Sequence, residues 1–361
     1  MRSELSRIRL LVLVMVLLFG VVAPAAMAQD EEPIQIAFVT HVRGNPFIQQ
    51  IIEGAQAAAD DLGVELVTGG PEAFDADAQL RLIQDFVAAG ADGVATSIAG
   101  ESMANGLNEL IDSGIPVVQF NLLSTSVNAP YVGERSTESG RILGNAVLEQ
   151  LGGESATGTV IIGVCVQGFP VLENRGRGVA EALSAAPGLE VLGPFDVGVD
   201  PVDNYSRWEQ QLAANPDAVA LIGLCAPDVE SLGRLKEASG ADFVAGGYDL
   251  TEGNLNAVQE GNAFVTLGQS AFVQGYLPVA LLVHSIRTGE PLAPAFYDSG
   301  TQVVTADSVD MANGLPALAF DDLIALSTDP AGTAEYYTPW TECVTGPGWK
   351  CSAEPIENEG A

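Results

Sequence analysis

The chain has 361 residues, with 14 Lys and Arg against 47 Asp and Glu, giving a net charge of −33. That balance repels nucleic acid and anionic membrane surfaces, both of which need a basic patch, and it disfavours an anionic ligand. With 47% hydrophobic residues, a chain of this length suits two domains rather than one.

The first 28 residues read as a secretion signal. Arg2, Arg7 and Arg9 lead into the apolar run Leu10 to Phe19, and "AMA" at 26–28 supplies small residues for a cut after Ala28. A transmembrane anchor is the competing reading, but the apolar run is short for one and the acidic "QDEEP" follows at once. No Cys sits near the cut to take a lipid. A periplasmic or extracellular protein is expected. Cleavage would remove three Arg and Glu4, leaving 11 basic and 46 acidic residues. The only lysines are Lys236 and Lys350. A saline habitat and the base composition of a genome would each account for such a surface.

Strands and helices then alternate. "IQIAFVT" (34–40) predicts a strand. The helix after it carries Ile48, Ile51, Ile52, Ala55, Ala59 and Leu62 at a 3.6-residue spacing. Next come "VELVTG", a helix around "AQLRLIQDFVAAG", the strand "GVATSI", a helix around "MANGLNELIDSG" and the strand "IPVVQFN" (115–121). A longer connection reaches "YVGE" (131–134) and a helix from Ser136 to Leu151. The pattern restarts with "TVIIGVCV" (159–166), a helix in 172–186, "LEVLGPFDV" and a helix near 202–214. "AVALIGLC", "DFVAGGYD" and "AFVTLGQ" follow as strands with helices between. A long apolar helix over 271–288 and the short strand "TQVVTAD" complete the series.

This alternation implies an α/β fold of two doubly wound parallel-sheet domains. Residues 309–361, rich in Pro, Gly, Thr and acids, read as a C-terminal extension packed on a domain. Cys343 and Cys351 bracket the turn "VTGPGW" and are expected to close a small disulfide loop. Cys165 and Cys225 end the strand runs "VIIGVC" and "LIGLC". They read either as two buried thiols or as a bridge between neighbouring strand ends, since the first and third strands adjoin in a 2-1-3 sheet. Metal binding is not expected, because no second Cys or His cluster accompanies them.

Catalysis finds little support. There are two histidines, His41 and His284, and no G-x-S-x-G, H-E-x-x-H or P-loop sequence. No catalytic residue, cofactor or metal is assigned. In open parallel sheets, ligands bind beyond the carboxyl ends of the strands. There the sequence places His41 with Asn45 and Phe47, Ser97, Asn121, Cys225 to Asp228, Tyr248 with Asp249, and Gln269; Arg175 lies early in a helix that follows a strand. Asn, Gln, Asp and Arg make paired hydrogen bonds, and aromatic faces cover apolar C–H patches. The mixture suits a neutral polyhydroxyl ligand.

In order along the chain, "NPFIQQIIEGAQAAADDLG", "IPVVQFN", "YVGERSTESGRILG", "ENRGRGVAEAL", "GGYD" and "VTLGQSAFVQG" resemble the landmarks of periplasmic sugar-binding proteins of the ribose-binding, type I class. The similarity runs from about Ile34 to Asp307. It implies a monomer that captures a monosaccharide or similar polyol and delivers it to the membrane subunits of an ABC importer. The alternative is a receptor presenting a sugar or autoinducer-like solute to a sensor kinase or chemoreceptor. The resemblance implies a ligand set of Asn45, Phe47, Asn121, Arg175, Tyr248, Asp249 and Gln269, with His41 and Ser97 beside them. It also implies three crossings, near 131–134, 267–270 and 298–301. They would divide the chain into a first domain of 34–132 plus 270–298 and a second of 133–269 plus 299–308. Asn121 stands for the usual Asp, Leu122 for a basic residue, Ile48 for a second aromatic, and Pro227 lies near the place of an Asn. These departures argue against D-ribose itself.

Overall fold

The computed structural model describes residues 33–307 and the backbone of 309–311. The segment read as a secretion signal, the Cys343–Cys351 pair and nearly all of 309–361 lie outside the described residues. Among the described residues no helix is long and apolar enough to cross a membrane.

The first sheet holds β1 (Gln35–Val39), β2 (Glu65–Gly69), β3 (Gly93–Thr96), β4 (Val117–Phe120), β5 (Tyr131–Gly133) and β11 (Phe296–Asp298), in the order β11-β5-β4-β3-β1-β2 and parallel throughout. Helices α1 (Pro46–Leu62), α2 (Ala76–Ala88) and α3 (Ala104–Asp112) connect its early strands. Strands β3 and β4 are buried at every position, as expected where helices cover both faces of a parallel sheet. Phe38 and Phe120 stack at 4.4 Å between ring centroids in the core of this lobe.

The second sheet holds β6 (Thr157–Val164), β7 (Gly188–Asp196), β8 (Ala218–Gly223), β9 (Val244–Tyr248), β10 (Val265–Gly268), β12 (Gln302–Val304) and β13 (Val309–Met311). Its order is β13-β12-β10-β9-β8-β6-β7, with β12 antiparallel to β10 and β13 antiparallel to β12. The sheet therefore takes in the first residues of the stretch expected as an extension. Helices α4 (Ser136–Gln150), α5 (Pro170–Leu183), α6 (Pro201–Ala214), α7 (Asp228–Ser239) and α8 (Glu252–Gln259) belong to this half. Helix α9 (Ala271–Thr288) is buried over most of its length and returns to pack on α1, β3 and β4. The chain thus passes between the sheets after β5, after β10 and after β11.

Helices α4 and α5 approach each other closely. They cross at Gly140 and Gly178, where an added Cβ would lie 2.2 Å from the Arg175 carbonyl oxygen and 2.0 Å from that of Thr137. Only glycine permits this contact, which seats the segment bearing Arg175 against α4.

Candidate functional site

The carboxyl ends of both sheets face a cleft of about 840 Å³. Seven of the nine residues expected at the site line it: His41, Asn45, Phe47, Asn121, Arg175, Asp249 and Gln269. The other two lie just behind its wall. Ser97 is fully buried, and its hydroxyl is 2.8 Å from His41 Nδ1. Tyr248 is fully buried with its hydroxyl 3.0 Å from that of Ser139, and the Arg175 guanidinium lies 4.0 Å above its ring centroid.

The loop after β1 shows how the local sequence builds its part. Asn45 caps α1, its Oδ1 accepting from the Phe47 N–H at 2.9 Å, and Pro46 takes the first helical position, where a missing N–H costs nothing. The cap consumes Oδ1 and leaves the Asn45 Nδ2 protons for a ligand. Phe47 packs into the core of the first lobe while one side lines the cleft. Burial lowers the His41 imidazole to about 4, so it is neutral at ordinary pH. Arg43 is half exposed at the outer cleft and pairs with Glu72.

The floor is one connected network. Gln269 Nε2 donates to Asp249 Oδ1 at 2.6 Å, and Asn121 Nδ2 donates to Gln269 Oε1 and Gln274 Oε1, each at 3.2 Å. It joins the end of β4 in one sheet to the ends of β9 and β10 in the other. Among the described residues, the non-glycine positions with positive φ are Asn121 (60°), Asp249 (76°) and Ser270 (50°), all at these strand ends. Side chains seldom adopt that region unless the surroundings hold them there, and such residues gather at functional sites. The network leaves Asn121 Oδ1 and Asp249 Oδ2 as acceptors.

Arg175 supplies the opposite sense. Its Nε donates to Glu134 Oε1 and its Nη1 to the Leu224 carbonyl at 2.9 Å, while Nη2 has no partner among the described residues. The side chains of Arg175 and Glu134 are 3% and 1% exposed, so this is a buried ion pair. Burial works against the Arg175 charge, but Glu134, Tyr248 and Asp249 together hold its pKa above the ordinary arginine value. Burial likewise pushes the Glu134 carboxyl up, against the pull of Arg175.

Two features escaped the sequence reading, the Phe74–Phe169 contact and the role of Glu134, and a third feature resolves an alternative that it left open. Phe74 and Phe169 meet across the cleft with ring centroids 5.4 Å apart, and His41 packs on Phe74 at 4.9 Å. Glu134 gives Arg175 its counter-charge; a glutamate directly after a strand was a visible signal, because a buried arginine needs one. Cys165 and Cys225 form a disulfide with Cα atoms 6.1 Å apart, which settles their two readings in favour of the bridge, and both line the cleft.

Asp249 has a pH signature. Burial raises its pKa from 3.8 to about 6, against Arg175 and Gln269, and Asp228 is raised to about 6, again chiefly by burial. Between pH 4 and 6 the native protein holds protons on these carboxyls that the unfolded chain has released. Stability of the unliganded protein should therefore fall as pH rises through that window, by up to about 1.4 kcal/mol per pH unit per group, and level off above it. Asp249→Asn should remove part of that slope and raise the melting temperature above pH 6. An unchanged slope in this variant would show that Asp249 does not titrate there.

A two-lobed α/β protein, its chain crossing three times between lobes and its polar groups gathered at facing strand ends, is built to enclose a small solute. The chain belongs to the family described as periplasmic binding protein domain, which matches residues 36–291. It is 23% identical over 294 residues to the xylose/arabinose-binding protein XylF of Sulfolobus acidocaldarius, covering 76% of this chain and 72% of that one. It is 26% identical over 259 residues to the ribose import binding protein RbsB of Escherichia coli, covering 70% and 84%. Among solved structures, a solute-binding protein of Burkholderia graminis in complex with D-arabinose aligns with a TM-score of 0.71 at 24% identity, over 76% of this chain and 96% of that one. The glucose-galactose binding protein GanP of Geobacillus stearothermophilus aligns at 0.70 and 24%, over 76% and 98%.

Proposed function

We propose that this protein captures a neutral monosaccharide or similar polyol in the interlobe cleft and delivers it to the membrane subunits of an ABC importer. The observation that carries this reading is the floor network. Asn121, Asp249 and Gln269 converge from strand ends of both lobes and leave acceptors, while Arg175 and Asn45 leave donors. A sugar hydroxyl donates and accepts at once, so such a mixture matches a ring bearing several of them. Phe47, Phe74 and Phe169 add flat apolar cover. Relatives named for xylose, arabinose and ribose support the same class. We read the protein as an exported monomer that binds and releases its solute without turnover.

A thermal-shift panel of pentoses, hexoses, polyols and nucleosides tests the proposal. A ligand that binds only the folded state stabilises it by about 2.7 kcal/mol at a hundred times its Kd. At least one sugar should raise the melting temperature and be recovered unchanged. A panel in which nucleosides shift the protein and no sugar does would overturn the ligand class.

A further inference from the structure

We propose that the Cys165–Cys225 disulfide is a positioning device for Arg175, so that oxidation state sets the geometry of the sugar grip; this rests on the sugar-binding reading above. The guanidinium lies over the Tyr248 ring, and two hydrogen bonds fix its orientation there, to Glu134 from Nε and to the Leu224 carbonyl from Nη1. Glu134 comes from the β5–α4 connection and is held in a buried interior. Leu224 is different. It lies one residue past the end of β8, where the sheet ladder has stopped, and one residue before Cys225.

Several hydrogen bonds steady this exit, including those from the Asp228 N–H to the Cys225 carbonyl and from the Cys165 N–H to Cys225 Sγ, each at 3.2 Å. Leu224 N–H donates to the Gly163 carbonyl at 3.1 Å, and Cys225 N–H donates to Asp228 Oδ2 at 2.9 Å. The disulfide adds the one covalent tie, joining Cys225 to the residue that follows β6. It therefore fixes the distance between the exits of two neighbouring strands at the point where the carbonyl must meet the guanidinium. A carbonyl that drifts releases Nη1. The guanidinium then keeps its seat over the Tyr248 ring and one hydrogen bond, to Glu134, about which it can swing, and Nη2 loses its set direction. Both sulfur-bearing residues line the same cleft as Arg175, so the tie lies in the wall that the ligand touches.

The test reads Arg175 directly. Dithiothreitol breaks the S–S bond, yielding two protein thiols and the cyclic disulfide of the reagent. In side-chain nitrogen NMR of the unliganded protein, the Arg175 guanidinium protons, assigned by their loss in Arg175→Lys, should be slow to exchange when oxidised. After reduction, or in Cys165→Ala/Cys225→Ala, their exchange should be about ten-fold faster or more, while backbone amides of the first sheet keep their rates. Equal guanidinium exchange in both states, or equal acceleration of the first sheet, would overturn the proposal. The binding arm uses D-xylose, D-arabinose and D-ribose. The double cysteine variant should weaken the tightest of these about ten-fold, and the same change in an Arg175→Lys background should add little. If none of the three binds the oxidised wild type while the guanidinium still responds to reduction, the positioning holds and the sugar-binding reading is what fails for these probes. If sugars bind but cysteine and arginine effects simply multiply, the positioning role is wrong.

Discussion

Arg175→Ala should destabilise the unliganded protein by about 3–5 kcal/mol, because it strands the Glu134 carboxylate in a buried site without its partner. The loss is a folding effect before it is a binding effect, since both side chains are almost wholly buried. Removing the whole pair tells the two apart. Glu134→Gln with Arg175→Met replaces the two charges by neutral groups of similar volume, a change that is often nearly neutral for buried pairs. The Leu224 carbonyl loses a donor in that variant, a cost of roughly 1–3 kcal/mol. Urea unfolding should therefore place the double variant nearer to wild type than Arg175→Ala. A single variant as stable as wild type would mean that the pair is not buried as described.

Replacing both members of the disulfide, Cys165→Ala with Cys225→Ala, should cost about 4 kcal/mol of stability. That magnitude follows from the sequence separation of 60 residues, since a bridge of that span removes loop-closure freedom from the unfolded chain. Most of the loss should be insensitive to ligand, because it belongs to the unfolded state. The same urea experiment measures it, and a difference under about 1 kcal/mol would show that the bridge does not form or that the unfolded chain is already compact there.

The frame of the molecule was legible because parallel strands covered on both faces are continuous apolar runs, and "TVIIGVCV" and "AVALIGLC" can hardly be anything else. Strand order followed from chain order, which is why the neighbouring exits of β6 and β8 could be expected to bring Cys165 near Cys225. The polar residues after the strands marked the cleft for the same reason. What the sequence hid are contacts made through space. Glu134 and Arg175 are 41 residues apart, and the glutamate after β5 signals that some cation needs it without saying which one. Phe74 and Phe169 come from different lobes and meet only when both are in place. Tyr248 adjoins Asp249, but a strand sends successive side chains to opposite faces, and its ring lies under Arg175 instead of in the cleft wall. Ser97 likewise reaches a strand exit and then turns to His41.

If the floor network and Arg175 together hold a sugar between the lobes, removing the arginine must weaken that sugar without unfolding the protein. Calorimetric titration decides this, using the sugar with the largest thermal shift against wild type and the folded Glu134→Gln/Arg175→Met variant. Loss of the charged donor should weaken binding by about 1.5–3 kcal/mol, roughly 10- to 150-fold, with one sugar bound per wild-type chain. Equal affinity in the two proteins would contradict the assignment, because the sugar would then be held somewhere that Arg175 does not reach.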